Sequence, residues 1–259
     1  NWNSLFTGLD NIANHTNVSI TASSVSAGDT IAIRSALVSD LANLAAAVAG
    51  GSTSASAFDT TAVGTSTNSG TWNSTSTIER SVTFANNATM RAFFNGGGAI
   101  RVDPATSGSV DGSKDTVFSE ITTAIGNLDI KAHATTRSGS GETETSFDSG
   151  NGFHDLGTSY TSKIKITANN SGYTSNYVEI FAKLDAVVGS ATVITIKMVS
   201  SDPADDTTYT SGNTDGVAAN PNEAPAMQLN IIEKSLNDTQ GLAADIKSAS
   251  NAQVSNSQS

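Results

Sequence analysis

The sequence predicts a mainly β protein: an antiparallel β-sandwich with one inserted helix, preceded by an N-terminal two-helix repeat segment and followed by a short C-terminal helix and tail. Three observations carry this reading. Only 37% of the 259 residues are hydrophobic and 14% charged, so Ser, Thr, Asn and Gly, residues of turns, short strands and solvated sheet faces, make up much of the rest. Short runs of Val, Ile, Thr and Phe follow one another from residue 78 onward, separated by turn residues. Within the first fifty residues, by contrast, the apolar positions fall at helical spacing.

The helical segment spans residues 1–51. Leu5, Leu9 and Ile12 recur 32 positions on as Leu37, Leu41 and Leu44, and each set lines one face of a short amphipathic helix. These five leucines and one isoleucine are the candidate subunit-contact residues, because helices this short are marginal without packing. Gly28 suits a turn, Asp29 or Thr30 an N-cap, and Gly50-Gly51 a stop. Between the helices, Val18 to Ser24 alternates like a short strand. Residues 52–77 are nearly all Ser, Thr, Ala, Gly and Asn, with isolated Phe58 and Trp72, and are expected to form an extended linker.

Residues 78–232 carry the expected sandwich, with strands at 78–84, 90–94, 99–102, 128–132, 163–166, 177–184, 192–199 and 227–232. Lys163 to Thr167 alternates strictly, which predicts one wet face, whereas residues 191–199 are more continuously apolar and suit a central strand. Val117, Ile121, Ala124, Ile125 and Leu128 mark one face of an inserted helix, with Asp115 at its N-cap and Gly126 near its end. It is expected to close one end of the sandwich. Residues 233–259 carry Leu236, Leu242 and Ile246 before turning into Ser, Asn and Gln, the pattern of a helix fraying into a tail.

Met90 to Val102, with its aromatic pair Phe93-Phe94, then Asn95, the glycines Gly96-Gly97-Gly98, and Ile100-Arg101, resembles a signature of virion structural proteins of tailed bacteriophages, many of them cyanophages and marine phages. Physically it suggests a β-hairpin, two strands around a turn whose glycines permit positive φ. The resemblance continues through residues 116–127, 153–160, 177–184 and 192–199, and so covers most of 78–232. The N-terminal helices are also similar to tandem units in those proteins, through Trp2-Asn3-Ser4-Leu5 and Gly28-Asp29-Thr30-Ile31, although the second helix carries Arg34-Ser35-Ala36-Leu37 instead. The resemblance implies a place in the virion, in the tail, fibre or neck apparatus, rather than a reaction. It implies as partners other virion proteins and copies of the chain itself, in a homotrimer or other symmetric oligomer.

Composition narrows the partners further. A net charge of −11 disfavours a sequence-independent grip on nucleic acid, which needs clustered Lys and Arg. No run of apolar residues is long enough to span a bilayer, so membrane insertion is not expected. There are no cysteines, which removes disulfide and thiolate chemistry. A chain beginning at Asn1 is expected to be processed or part of a longer product.

No catalytic residues, cofactor or metal are expected, and the chain is read as non-enzymatic. His15, His133 and His154 show no ligand spacing, and His154 and Asp155, as neighbours on a strand, would point to opposite faces. Gly96 to Gly98 lacks the Lys and Ser/Thr of a phosphate loop. Asp202, Asp205, Asp206 and Asp215 lie among oxygen-rich residues without the alternation of a calcium loop, and read as a solvated loop. Glu142 with Glu144, or Asp148 with Asp155, are the carboxylate pairs a depolymerising spike would need. Two further readings stand beside the structural one: a receptor- or glycan-binding fibre tip, and a fragment of a bacterial surface-layer protein or adhesin.

Overall fold

The computed structural model describes residues 2–16, 18–28, 34–51, 58–68, 72, 74–107, 112–170, 172–203, 226–236 and 250–258. Two antiparallel sheets form a β-sandwich with helices attached. Helices α1 (Trp2–Thr16) and α2 (Arg34–Gly51) come first, followed by strands β1 (Phe58–Thr67) and β2 (Thr75–Thr83), helix α3 (Asn87–Asn95) and strand β3 (Ala99–Ser107). Helix α4 (Gly112–Ile125) then leads to three short strands, β4 (Leu128–Ile130), β5 (Thr135–Arg137) and β6 (Thr143–Phe147), and to a 3-10 turn at Phe153–Asp155. The long strands β7 (Thr161–Thr167), β8 (Tyr177–Leu184), β9 (Val193–Ser201), β10 (Ala226–Leu236) and β11 (Ser250–Gln258) complete the order. One sheet runs β1-β10-β3-β4-β5 and the other β11-β2-β9-β8-β7-β6.

Strict alternation of inward and outward residues on β2 and β8 is what a sheet with one face on a core requires. Ile78, Val82, Val178, Ile180, Ala182, Ile194 and Ile196 come inward from one sheet and Ile100, Val102, Leu229 and Ile231 from the other. Helix α4 packs against β3 on one side and β7 and β8 on the other, burying Val117, Phe118, Ile121, Ala124 and Ile125. It closes the sandwich as its apolar face predicts. Gly126, at φ 60°, ends it in the left-handed conformation that a side chain resists. Beyond it, the Arg137 guanidinium and the Gly139 N–H donate to the last-turn carbonyls of Ala124 and Ile125, which would otherwise be orphaned.

Several expectations are corrected. The expected linker at 52–77 contains β1, which pairs with β10 from Phe58↔Leu236 to Thr67↔Gln228, and Trp72, which is 1% exposed and meets Phe118 edge-on at 5.0 Å. Threonine tolerates the pleat, so a Ser/Thr-rich run makes an edge strand once a partner exists. The hairpin at 90–102 is instead helix, turn and strand. Asn86 accepts the N–H of Thr89 as N-cap, and Met90, Phe93 and Phe94 are buried on one helical face. Gly97, at φ 94°, donates to Phe94 and Gly98 to Phe93, the paired bonds of a Schellman ending. The glycine run is therefore a helix stop.

Asp115 lies inside the first turn of α4 rather than at its cap. Residues 18–26 form no strand; Asn3 holds the Val25 N–H and C=O with its amide, and Asp40 accepts the N–H groups of Thr21 and Ala22. Lys163 is not on the wet face, because a bulge between Ser162 and Ile164 leaves it unpaired in the ladder and turns it inward. Its ammonium is buried on Asp148 at 2.8 Å and the Asn151 carbonyl. At the C-terminal end, residues 233–236 belong to β10 and 250–258 to β11, which pairs with β2. Leu242 and Ile246, with the rest of the expected helix, lie outside the described residues.

Candidate interaction site

The predicted subunit-contact residues divide between two faces of the helical pair. Leu9 and Leu44 are 3% exposed and pack with Ala13, flanked by Val18, Ile20 and Leu37. Leu5, Ile12 and Leu41 are nearly half exposed, and Val38 more so. Alanine at position 13 lets the helices approach through the first set, which leaves the second set outside. This small core is separate from that of the sandwich.

The hairpin-motif residues act structurally. Phe93 and Phe94 join Phe84 and Phe153 in a buried aromatic cluster, with Phe94 and Phe153 stacked at 4.2 Å. Ile100 is buried on β3, and Arg101 reaches across to Asp129 through two hydrogen bonds of 2.7 and 3.0 Å. Lys234 donates to the same carboxylate. Burial raises the Asp129 pKa, but the hydrogen bonds from Arg101 and Lys234 prevail and hold it below the usual carboxylate range.

Asn95 ties the two signature stretches together, since its Oδ1 lies 2.7 Å from His154 Nε2. The 3-10 turn that presents His154 is fixed by bonds from Phe153 and His154 to the carbonyls of Lys131 and Ala132. This brings His133 and His154 into a stack with centroids 4.6 Å apart. Burial, His133 and Arg91 together push the His154 pKa down, against the pull of Asp155. Asp155 accepts the Gly152 N–H, and so caps the turn.

The remaining carboxylates are engaged singly. Glu142 accepts the Asn169 N–H, Glu144 pairs with Arg137, and Asp148 pairs with Lys163. Asp202 is no solvated residue: it and Lys114 form an ion pair of 2.8 Å with both side chains buried. Asp205, Asp206 and Asp215 lie outside the described residues, and the side chain of His15 is likewise undescribed. A groove of about 310 Å³ between β3 and α4 is lined by Thr106, Thr116, Ser119 and Glu120, with Glu120 bonded by Asn170.

A second constellation lies on the outer face of the six-stranded sheet, and the sequence reading missed it. Glu79 on β2 stands opposite Lys197 on β9, which stands opposite Phe181 on β8. Tyr160, just before β7, lies across this row with its ring 6.4 Å from Phe181. The ammonium groups of Lys197 and Lys183 sit 4.0 and 4.3 Å from the Tyr160 centroid, within the range of cation–π attraction. Burial and the Glu79 carboxylate push the Tyr160 phenol well above its ordinary pKa. Further along β8, Lys165 covers Tyr177 at 3.7 Å and lies 3.9 Å from Glu179. Outward positions on β8 and β9 are legible from alternation, but Tyr160's position depends on the loop that precedes β7. Among the described residues no helix is long and apolar enough to cross a membrane. Searches against family models, curated proteins and solved structures find no match to the chain.

Proposed function

We propose that this chain is a non-enzymatic structural subunit of a tailed-bacteriophage virion, in the tail, fibre or neck apparatus, assembling through subunit contacts. The observation that carries the assembly part is the helical pair. It closes a small core on Leu9, Ala13 and Leu44 yet leaves Leu5, Val38 and Leu41 about half exposed or more, an apolar surface that burial against a neighbouring subunit would stabilise. The phage assignment rests on the sequence signature at 90–102. Its residues build a helix stop and an ion pair between neighbouring strands β3 and β4, a structural use that suits a scaffold. Immunogold labelling of purified particles with an antibody against residues 78–232 tests this. Gold at the tail, neck or fibres is the expected outcome; expressed antigen with unlabelled particles refutes it and leaves a bacterial-surface role.

A second reading, of the sandwich as a receptor-binding module, is favoured by the aromatic and lysine cluster on its outer face, where rings and ammonium groups stand partly exposed.

A further inference from the structure

We propose that the outer face of the six-stranded sheet around Tyr160, Phe181, Lys183 and Lys197 binds an acidic polysaccharide, whose carboxylate or sulfate groups seat on the two ammonium groups. The inference rests on the receptor-binding reading and names its ligand class and site.

In a chain of net charge −11, Lys114, Lys163, Lys165 and Lys234 each lie against a carboxylate. Among the described lysines only Lys131, Lys183 and Lys197 lie in no ion pair, and of these three the last two sit on an aromatic ring. Although Glu79 stands opposite Lys197 in the ladder, the ammonium groups of Lys183 and Lys197 are drawn onto that one ring. Held there, the two long side chains have already lost much of the rotamer freedom that binding would otherwise cost. The result is a preorganised pair of half-buried cations gathered on one ring.

The chemistry and shape select the ligand. With ammonium groups over Tyr160, and Lys197 also 4.7 Å from the Phe181 centroid, these rings are poor bare platforms for a neutral sugar, whereas an anionic group meets charge-assisted donors. The surface is a sheet face rather than a pocket. The second lysine-on-aromatic unit, Lys165 on Tyr177, starts four residues from Phe181 on the same strand, roughly 13 Å away at the usual rise. An extended polymer can span both. Beside the cluster β2 turns Thr77 and Ser81 outward, hydroxyls able to exchange hydrogen bonds with sugar hydroxyls.

Titration calorimetry of the full chain in low-salt buffer, with alginate, dextran sulfate, neutral dextran and polyglutamate as probes, tests the site. Alginate or dextran sulfate should bind while dextran does not, and Lys183→Gln and Lys197→Gln should each weaken binding roughly tenfold. Lys131→Gln, which removes the same charge from an exposed lysine elsewhere, should leave affinity unchanged. Equal loss in Lys131→Gln would reduce the effect to diffuse charge attraction and overturn the site. So would silence from both acidic polysaccharides, or polyglutamate binding as tightly as either, which would point to an acidic protein. Virions labelled by immunogold but blind to polysaccharide overturn this site alone. Polysaccharide binding with unlabelled virions keeps the site and removes the virion assignment.

Discussion

Replacing Gly98 by Ala tests the corrected reading of the signature stretch most directly. A Cβ at position 98 would lie 2.6 Å from two ring carbons of Phe93 and 2.7 Å from the Phe93 carbonyl oxygen. The ring is 1% exposed and wedged against Phe84 and Phe94, and the carbonyl already accepts the Gly98 N–H, so neither can yield freely. Overpacking of this kind costs about 1–3 kcal/mol, a sizeable share of the roughly 5–15 kcal/mol that holds a domain folded. Gly8 supplies the opposite sign. It lies within α1 with nothing within 4 Å of its missing Cβ, so Gly8→Ala should stabilise that helix by about 0.5–1 kcal/mol. Urea unfolding followed by Trp72 fluorescence in a Trp2→Phe background isolates the sandwich for Gly98→Ala, and far-UV circular dichroism in the unaltered background follows the helices for Gly8→Ala. Gly98→Ala should lower the midpoint with an unchanged slope. A loss below about 0.5 kcal/mol, within ordinary surface variation, would refute the tight helix stop and revive a hairpin whose turn glycines have space.

Two predictions concern pH. Because the Asp129 pKa is depressed in the fold, its stabilisation is present above the unfolded value of about 4 and is lost as pH falls through the folded value; Asp129→Asn should cost about 1–3 kcal/mol at neutral pH and flatten the acid limb of the stability curve, and an unchanged limb would refute the Arg101–Asp129–Lys234 network. His154 is also depressed, so protonation favours the unfolded chain: stability from its neutral state is full above about pH 6.5 and lost as pH falls through the folded value. An NMR titration of its ring should give a midpoint below that of a free histidine, rising when His133 is replaced by Ala, and a midpoint at or above the free value would contradict the stack.

Where one element's own residues settle its structure, the sequence was readable. Strand β8 runs over the residues that alternation marks, and α4 buries the face its spacing marks except for Leu128, which opens β4. The errors fall where the deciding contact is distant or the local pattern is two-valued. Met90 to Phe94 is a five-residue stretch, apolar but for Arg91 and short enough for either strand or helix; Asn86 as cap and the i, i+3, i+4 spacing of Met90, Phe93 and Phe94 were the available signals for helix. Strands β1 and β11 are polar enough to pass for linker and tail, because their ladders belong to β10 and β2, far along the chain. The inward turn of Lys163 follows from a bulge, and no composition announces one. Of the candidate contact residues, the sequence located the helices but not which leucines would be covered, since that depends on how α1 meets α2. The pairing of His133 with His154 and the placement of Tyr160 over two lysines both need the loops before β7 in place.

The order of strands has a consequence for synthesis. In the five-stranded sheet, β1 rests on β10 alone, and Thr65 bonds Asn230 across 165 positions. Strand β3 pairs with β4 on one side and with β10 on the other, so a ribosome must reach Leu236, the end of β10, before that layer is complete. Until then β1 has no ladder partner, and the inward residues of β3 lack half their cover. Pairings of such separation close slowly, because the loop entropy comes due before any contact rewards it. The polar composition of β1, which disguised it as linker, keeps this waiting segment from sticking to its neighbours on the polysome.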